Sequence, residues 1–135
     1  MSTRKFPAKF ETLDEVREYV GDKAREAGFS EKTVYSVQLA ADEAASNIIE
    51  HAYAGETGRT FRLQCQRKDD QLIMTFFDQG QSFDFSNVKI PDVTADLSER
   101  AIGGLGIFLM HKLMDEVAYR VTGAGNFLRL VKRKE

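Results

Sequence analysis

Residues 42–53 read DEAASNIIEHAY and lie in the middle of a long helical pattern. Within this stretch Glu43, Asn47 and His51 recur at every fourth position. Because an α-helix turns once in about 3.6 residues, side chains at this spacing stay on one slowly drifting stripe. A carboxylate, a carboxamide and an imidazole on one stripe of an otherwise apolar helix form either a solvent-facing surface or the wall of a site.

Length and composition limit the class of protein. The chain has 135 residues, 42% hydrophobic and 30% charged, which predicts one ordinary globular domain over residues 1–135. The 19 basic and 21 acidic residues nearly balance, so there is no overall attraction to nucleic acid. The single cysteine, Cys65, excludes an internal disulfide framework, and no apolar stretch approaches the roughly 20 residues of a membrane span. We therefore expect a cytoplasmic protein that binds neither nucleic acid directly nor membrane.

The N-terminal half predicts one strand and two helices. Residues 4–10 contain a proline and predict an edge strand, because proline cannot donate within a sheet. Thr12, followed by acidic residues, predicts a helix N-cap, and apolar residues at helical spacing continue to Gly28. Ser30 begins a second helix, whose apolar stripe continues to about Tyr53.

The C-terminal half predicts two hairpins around a long connection. Residues 61–65 alternate and predict a half-buried strand, whereas residues 71–78 are almost continuously apolar and predict a central one. Residues 80–100 lack periodicity, as is typical of a lid or a disordered segment. A helix that opens at Gly106 and a hairpin that turns at residues 123–125 follow. The order predicts an α+β fold, a two-layer sandwich whose helices cover one face of a mixed, mainly antiparallel sheet.

The polar stripe has a specific chemistry if it is functional. Asn47 offers an uncharged amide oxygen, and Mg²⁺ prefers oxygen ligands while keeping most of its waters. Glu43, one turn earlier, is placed as a general base for a hydroxyl nucleophile. The alternative is an ordinary helix surface, where polar pairs at this spacing are common.

A second stretch, Asp78 to Gly80, ends the predicted central strand. An ionised carboxylate only accepts hydrogen bonds, so Asp78 suits an exocyclic amino group such as that of adenine. Gly80 would let a flat ring approach the backbone. An aspartate after a strand is also a common turn residue, and the residues alone leave both alternatives open.

A third stretch, Gly103-Gly104-Leu105-Gly106, leads into a predicted helix. Glycines here expose backbone N–H groups beside the positive end of the helix dipole, which suits phosphate, although glycine-rich loops are common. The chain has neither a P-loop motif nor a dinucleotide-binding glycine motif after a strand. Any nucleotide must therefore be held in another way.

Taken in order, Glu43-x-x-x-Asn47, Asp78-x-Gly80 and Gly104-Leu105-Gly106 resemble the three boxes of the GHKL ATPase superfamily, whose Bergerat fold serves gyrases, chaperones and histidine kinases. EAASNIIEHAY, DQGQSFDF and GLGIFLMHKLMDEV resemble its small branch, the bacterial anti-sigma-factor serine/threonine kinases. The resemblance covers essentially the whole chain. It implies a histidine-kinase-like ATPase domain with an ATP lid at about residues 80–104.

The resemblance implies a role for each matching residue. Asn47 would hold Mg²⁺ against the triphosphate of ATP, and Glu43 would activate a protein serine or threonine hydroxyl. Asp78 would accept from the adenine amino group, with Gly80 beneath the ring. The glycine-rich residues 103–106 would bind the phosphates.

Three further residues gain implied roles. Arg100 would neutralise charge on the transferred phosphoryl group, or is an ordinary loop arginine. His51 would support the rim of the site, or simply ends its helix. Asn126 stands where a threonine commonly touches phosphate, so that contact would be lost or replaced by a carboxamide.

The implied function is phosphorylation of an anti-sigma-factor antagonist of the STAS type, with sequestration of a sigma factor in transcription regulation. Homodimers are common in the branch. One rival is a nucleotide-gated module that binds its partner without phosphoryl transfer. A small ATP hydrolase or a histidine kinase fragment is another; the latter is disfavoured because His51 and His111, the only two histidines, both lie within the nucleotide-fold boxes.

Overall fold

A computed structural model describes residues 1–82 and 104–134, and in these ranges three α-helices lie on one face of a five-stranded sheet. The sheet order is β1-β2-β3-β5-β4, and every neighbouring pair is antiparallel. The predicted α+β sandwich with a central third strand is confirmed. The strands are β1 (Ser2–Pro7), β2 (Thr60–Lys68), β3 (Gln71–Asp78), β4 (Glu116–Val121) and β5 (Asn126–Arg133), and the helices are α1 (Leu13–Glu26), α2 (Glu31–Asn47) and α3 (Gly104–Leu113).

The start of the chain differs from its prediction in two respects. The edge strand predicted over residues 4–10 is present as β1 at Ser2–Pro7, paired with β2 alone. A 3-10 turn, Phe10–Thr12, precedes α1, so Thr12 has helical backbone angles and its side chain makes no capping hydrogen bond. Thr12 directly precedes α1, as predicted for its N-cap, but the capping hydrogen bond is not made, because the preceding 3-10 turn gives Thr12 helical angles instead of the extended ones of a capping residue.

The second helix ends earlier than predicted. Ser30 caps α2 by accepting from the N–H of Thr33, but after Asn47 the chain enters a π-helical turn, Ile48–Ala52. The N–H of Tyr53 donates to the carbonyl of Ile48 at 3.0 Å, the spacing of a π turn. The α-helical pattern predicted to about Tyr53 therefore ends at Asn47, and His51 lies in the wider turn that follows.

The core lies between the helices and one sheet face. Alternate strand residues supply it, as the period-two pattern of β2 predicted. Phe61 stacks on Phe6 at 5.7 Å and on Phe76 at 6.4 Å between ring centroids. Cys65 is buried in the same core, and burial raises the pKa of its thiol to about 12. Within the described ranges, no helix has the length and apolarity that crossing a bilayer requires.

The side chain of Tyr53 ties the π turn to the sheet. Its hydroxyl donates to the carbonyl of Thr60 at 2.7 Å and accepts from the N–H of Gln79 at 2.8 Å. The Arg59 guanidinium covers the ring, 4.4 Å from its centroid. The start of β2 and the end of β3 are thus fixed to the turn that follows Asn47.

We expect Tyr53→Phe to lower the free energy of unfolding by about 1–2 kcal/mol, because a part-buried N–H and a part-buried C=O both lose their partner. Urea unfolding followed by circular dichroism measures the change. Tyr35→Phe is the matched control, since that ring is 67% exposed, and its effect should stay within about 0.5 kcal/mol. Equal stability of the two variants would show that the Tyr53 hydroxyl does not hold this connection.

Candidate functional site

A cavity of about 350 Å³ opens between α2 with its π turn and the helix-facing side of β3, β4 and β5. Most of its exposed lining is apolar, with polar groups placed at intervals. Three predicted site residues, Asn47, His51 and Asp78, line this one cavity. The full lining is Ala44, Asn47, Ile48, Glu50, His51, Ala52, Ala54, Asp78, Gln81, Ser82, Tyr119 and Leu128.

Asp78 is a buried carboxylate at one end of the cavity, only 6% exposed. Its Oδ1 accepts from the N–H of Gly80 at 2.9 Å and from Nδ2 of Asn126 at 2.9 Å. Burial raises the pKa of Asp78, and the bonds from Asn126 and Gly80, with the charge of Arg59, partly offset that rise. Because both bonds within the described residues use Oδ1, Oδ2 retains the capacity to accept from a ligand.

Asn126 lies beside Asp78, directly opposite it in the register of β3 and β5. Its side chain is 3% exposed, and Nδ2 also donates to the carbonyl of Gly80 at 3.0 Å. The resemblance associated this position with phosphate, but both hydrogens of Nδ2 are taken by the protein at the Asp78 end of the cavity. Local sequence could not reveal this, because the contact depends on β5 pairing with β3.

Gly80 permits a close approach of two backbone segments. A Cβ at this position would lie 2.3 Å from the carbonyl oxygen of Ala52 and 2.8 Å from Cδ1 of Tyr53. The next residue, Gln81, donates its N–H to the same carbonyl of Ala52 at 2.7 Å. The close approach that the sequence analysis attributed to a flat ring is therefore made by the protein's own π turn.

Glu43 and Asn47 meet the first turn of α3. A Cβ added to Gly106 would lie 2.7 Å from Oε2 of Glu43 and 3.6 Å from Nδ2 of Asn47. The structure thus brings the first and third sequence motifs together. Because the first N–H groups of a helix have no partner within it, the opening turn of α3 places backbone donors without an intrahelical partner beside the carboxylate and the carboxamide.

The environment of Glu43 makes its carboxyl more basic. The side chain is half-buried, and this burial raises its pKa, with further contributions from the charges of Asp42 and Glu50. Asp42 is itself paired with Arg17 of α1, Oδ1 to Nη1 at 2.9 Å. A carboxylate that binds a proton more readily is better suited to accept one during a reaction.

The π turn adds a carboxylate and an imidazole to the cavity lining. His51 is 25% exposed at its side chain, and its Nε2 lies 3.7 Å from Oε2 of Glu50. Glu50 was not predicted as a site residue, although a position three residues after Asn47 lies on the same side of a helix. Tyr119 and Leu128 were not predicted either, because their alternation assigns each to a face of its strand but does not say which face meets the cavity.

The remaining predicted residues fall at the end of the long connection. Arg100 and Gly103, like most of the predicted lid, lie outside the described residues. Gly104 and Leu105 belong to the first turn of α3, together with Gly106. The helix therefore begins two residues before the predicted Gly106.

Comparison with known proteins identifies sequence relatives. Residues 6–132 match the family model of the histidine kinase-like ATPase domain. The serine-protein kinase RsbW of Listeria monocytogenes is 34% identical over 119 residues, which cover 85% of this chain and 76% of the relative. The serine-protein kinase RsbW of Halalkalibacterium halodurans is 33% identical over 115 residues, covering 82% of this chain and 70% of the relative.

Solved structures share the architecture. The RsbU and RsbW domains of a Mycobacterium tuberculosis protein align with a TM-score of 0.64 at 17% identity, covering 98% of this chain and 32% of that one. The catalytic domain of the histidine kinase ThkA aligns with a TM-score of 0.57 at 14% identity, covering 99% and 97%. At these identities the likeness shows the fold alone, and that fold is the predicted one.

We expect Gly80→Ala to destabilise the protein by about 1–3 kcal/mol, because the added methyl group must displace the backbone of Ala52. Gly123→Ala is the matched control, since a Cβ there meets no heavy atom within 4 Å, and its effect should be about 0.5 kcal/mol or less. Urea unfolding compares the two. A Gly80→Ala protein as stable as the control would contradict the close approach.

Asp78→Asn should leave the free protein as stable as wild type at neutral pH, or more stable. The carboxamide oxygen can keep both bonds of Oδ1, while a buried charge is removed. Since the folded-state pKa of Asp78 is raised, ionisation disfavours the folded state above that pKa, and the penalty disappears as pH falls through it. The stability advantage of the variant should therefore shrink between pH 7 and about pH 4.

Thermal unfolding of both proteins across this pH range measures the difference. Asp70→Asn is the control, because Asp70 is exposed and its replacement should give no such trend. An advantage of Asp78→Asn that grows toward acid would contradict a raised pKa.

Proposed function

The chain belongs to the histidine kinase-like ATPase domain family, as its three motifs predicted, and we propose that it acts as an ATP-dependent protein serine/threonine kinase. Its similarity to serine-protein kinases over most of its length supports this activity. The observation that carries the proposal is the contact of Glu43 with Gly106, since it joins a candidate base to the helix turn that would bind phosphate.

The Asp78 end of the cavity fits adenine. Oδ2 of Asp78 would accept from the exocyclic amino group, while Gly80 and Asn126 hold the carboxylate through Oδ1. Guanine carries a carbonyl oxygen at the corresponding position, which a carboxylate repels. Ile48 and Leu128 give the cavity apolar surface against which a flat base can pack. The cavity therefore favours ATP over GTP.

The opposite part of the site fits phosphates and a hydrated cation. The unpaired N–H groups of the first turn of α3 would bind phosphate oxygens. Asn47 would hold Mg²⁺ through its amide oxygen, with water completing the shell, since this cation retains several waters. When bound, Mg²⁺ supplies positive charge that offsets the negative charge of the phosphates.

Glu43 would act as the base in transfer. The hydroxyl oxygen of a serine or threonine forms a bond to the γ-phosphorus, and the bond from that phosphorus to the bridging oxygen of ADP breaks. The hydroxyl proton passes to the Glu43 carboxylate. Arg100, by the motif order, would stabilise charge on the transferred group.

The proposed substrate is a serine or threonine of an anti-sigma-factor antagonist of the STAS type, and the proposed sequestered partner is a sigma factor. Support comes from the similarity to kinases named RsbW. We further propose that the protein works in the cytoplasm and as a homodimer. The alternative of a nucleotide-gated binding module without transfer is less favoured, because Glu43 is present and lies beside the turn that would bind phosphate.

We expect Glu43→Gln to reduce transfer by about 100-fold or more, the range expected for loss of a general base, while ATP binding stays within about threefold. Asn47→Ala should instead weaken Mg²⁺-dependent ATP binding. The measurement is transfer of labelled γ-phosphate from ATP to co-purified partner proteins, beside a nucleotide-binding titration.

Glu50→Gln is the matched control, since it removes a carboxylate that lines the cavity beside Asn47 but lies away from the first turn of α3 in sequence and has no part in the proposed transfer. It should change transfer by about fivefold or less. Normal transfer by Glu43→Gln would refute its role as base. Tight ATP binding by the wild-type protein without transfer to any partner would favour the nucleotide-gated module.

A further inference from the structure

The sheet face opposite the helices carries a row of residues in lateral register. The register pairs Lys5 with Arg62, Arg62 with Phe77, Phe77 with Phe127 and Phe127 with Arg120. Residues that oppose one another in register point to the same side of a sheet. One row across all five strands therefore has two phenylalanines at its centre and cations at both ends.

The neighbouring row adds another cation and no acid. It consists of Thr3, Gln64, Thr75, Arg129 and Ala118. Across both rows there are four cations and no carboxylate, although the chain as a whole has a net charge of −2. Positive charge is thus concentrated on this face.

On β4, the nearest carboxylate of this face belongs to Glu116, one row beyond Ala118. This carboxylate is already paired with the Arg133 guanidinium, at 2.9 Å. Within residues 1–82 and 104–134, none of Lys5, Arg62, Arg120 and Arg129 forms an ion pair with a carboxylate. Their charge is available to a partner.

The central rings are held in place by the cations beside them. Phe77 and Phe127 lie 4.8 Å apart between centroids. The Arg62 guanidinium lies 4.7 Å from the centroid of Phe77, and that of Arg120 lies 5.5 Å from the centroid of Phe127. A depression of about 360 Å³ runs beside the rings, bounded by Arg62 and Thr75, and offers space to an apolar side chain.

We propose that these two rows form a docking surface for an acidic segment of a partner protein. This cationic face is defined by Lys5, Arg62, Phe77, Arg120, Phe127 and Arg129. Partner carboxylates bind the guanidinium groups, which form strong charge-assisted hydrogen bonds. One apolar partner side chain enters the depression beside the two rings. The surface lies on the opposite side of the sheet from the nucleotide cavity and does not depend on the proposed kinase activity.

Charge and access to the aromatic rings distinguish an acidic partner segment from two other occupants, a second copy of the chain and a nucleic acid. A second copy packed face to face would bring like charges together at short range, which is unfavourable. Nucleobases bind sheets by stacking on free aromatic faces, whereas Arg62 and Arg120 cover the faces of Phe77 and Phe127. A partner with carboxylates and a single apolar anchor satisfies both the cations and the depression.

Binding of a fluorescein-labelled peptide of Glu-Glu-Leu repeats, followed by anisotropy without nucleotide, tests the proposal. Affinity should fall about tenfold or more between about 50 mM and about 500 mM NaCl, since the contacts are exposed charge pairs. The Arg62→Glu/Arg129→Glu protein should bind about tenfold or more weakly. A Lys9→Glu/Lys32→Glu protein, with the same charge change at exposed positions away from this face, should stay within about twofold.

A second variant and a second readout keep the test decisive. Arg62→Gln/Arg129→Gln should also weaken binding, and thermal unfolding confirms that each variant is folded. In ¹H–¹⁵N spectra the peptide should shift the amides of Arg62, Phe77 and Phe127. Equal loss in both charge-reversal proteins, or shifts confined to the helices, would overturn the proposal.

Two other outcomes would assign the face to a different occupant and so overturn the proposal. Tighter binding of an oligothymidine than of the peptide would assign it to single-stranded nucleic acid. A dimer that dissociates in the Arg62→Glu/Arg129→Glu protein would assign it to a second copy of the chain. Because no nucleotide is present, none of these results depends on phosphoryl transfer.

Discussion

The hydrogen-bonded carboxylate of Asp78 is the constraint on which the site depends. A buried carboxylate destabilises a fold unless its oxygens are bonded, and here one bond comes from Gly80 and the other from Asn126. Asn126 opens β5, which must lie beside β3 to supply that bond. The position of β5 beside β3 therefore completes the polar end of the cavity. Because both bonds from within the described residues use Oδ1, Oδ2 can still accept a hydrogen bond from a ligand.

The π turn after Asn47 connects that carboxylate to the helix that carries Glu43. Its wider turn brings the carbonyl of Ala52 against the end of β3, where only a glycine fits at position 80. Tyr53 then bonds the same strand end through its hydroxyl. The two halves of the candidate site, at Glu43 and at Asp78, are thus connected through a short irregular segment rather than through regular secondary structure alone.

The sequence predicts what local periodicity encodes. The bounds of β3, the order of the elements and the three motifs all follow from patterns of a few residues, and they were found correctly. The missing side-chain cap at Thr12, the end of α2 at Asn47 and the hydrogen-bond partners of Asn126 were not predicted, for related reasons. The 3-10 turn and the π turn change the helical period within a few residues, so a regular hydrophobic pattern does not show them. The partners of Asn126 depend on the pairing of β5 with β3, which joins residues distant in the chain.

The alternation of side chains along the central strands has a consequence for how such a protein can diverge. Phe76 belongs to the core, whereas its neighbour Phe77 lies on the open face; Leu63 and Arg62 are divided in the same way. Substitutions on one side therefore leave the other largely unaffected. Descendants of an ancestral chain can acquire new binding preferences on the outer side of the sheet while inheriting an unchanged interior.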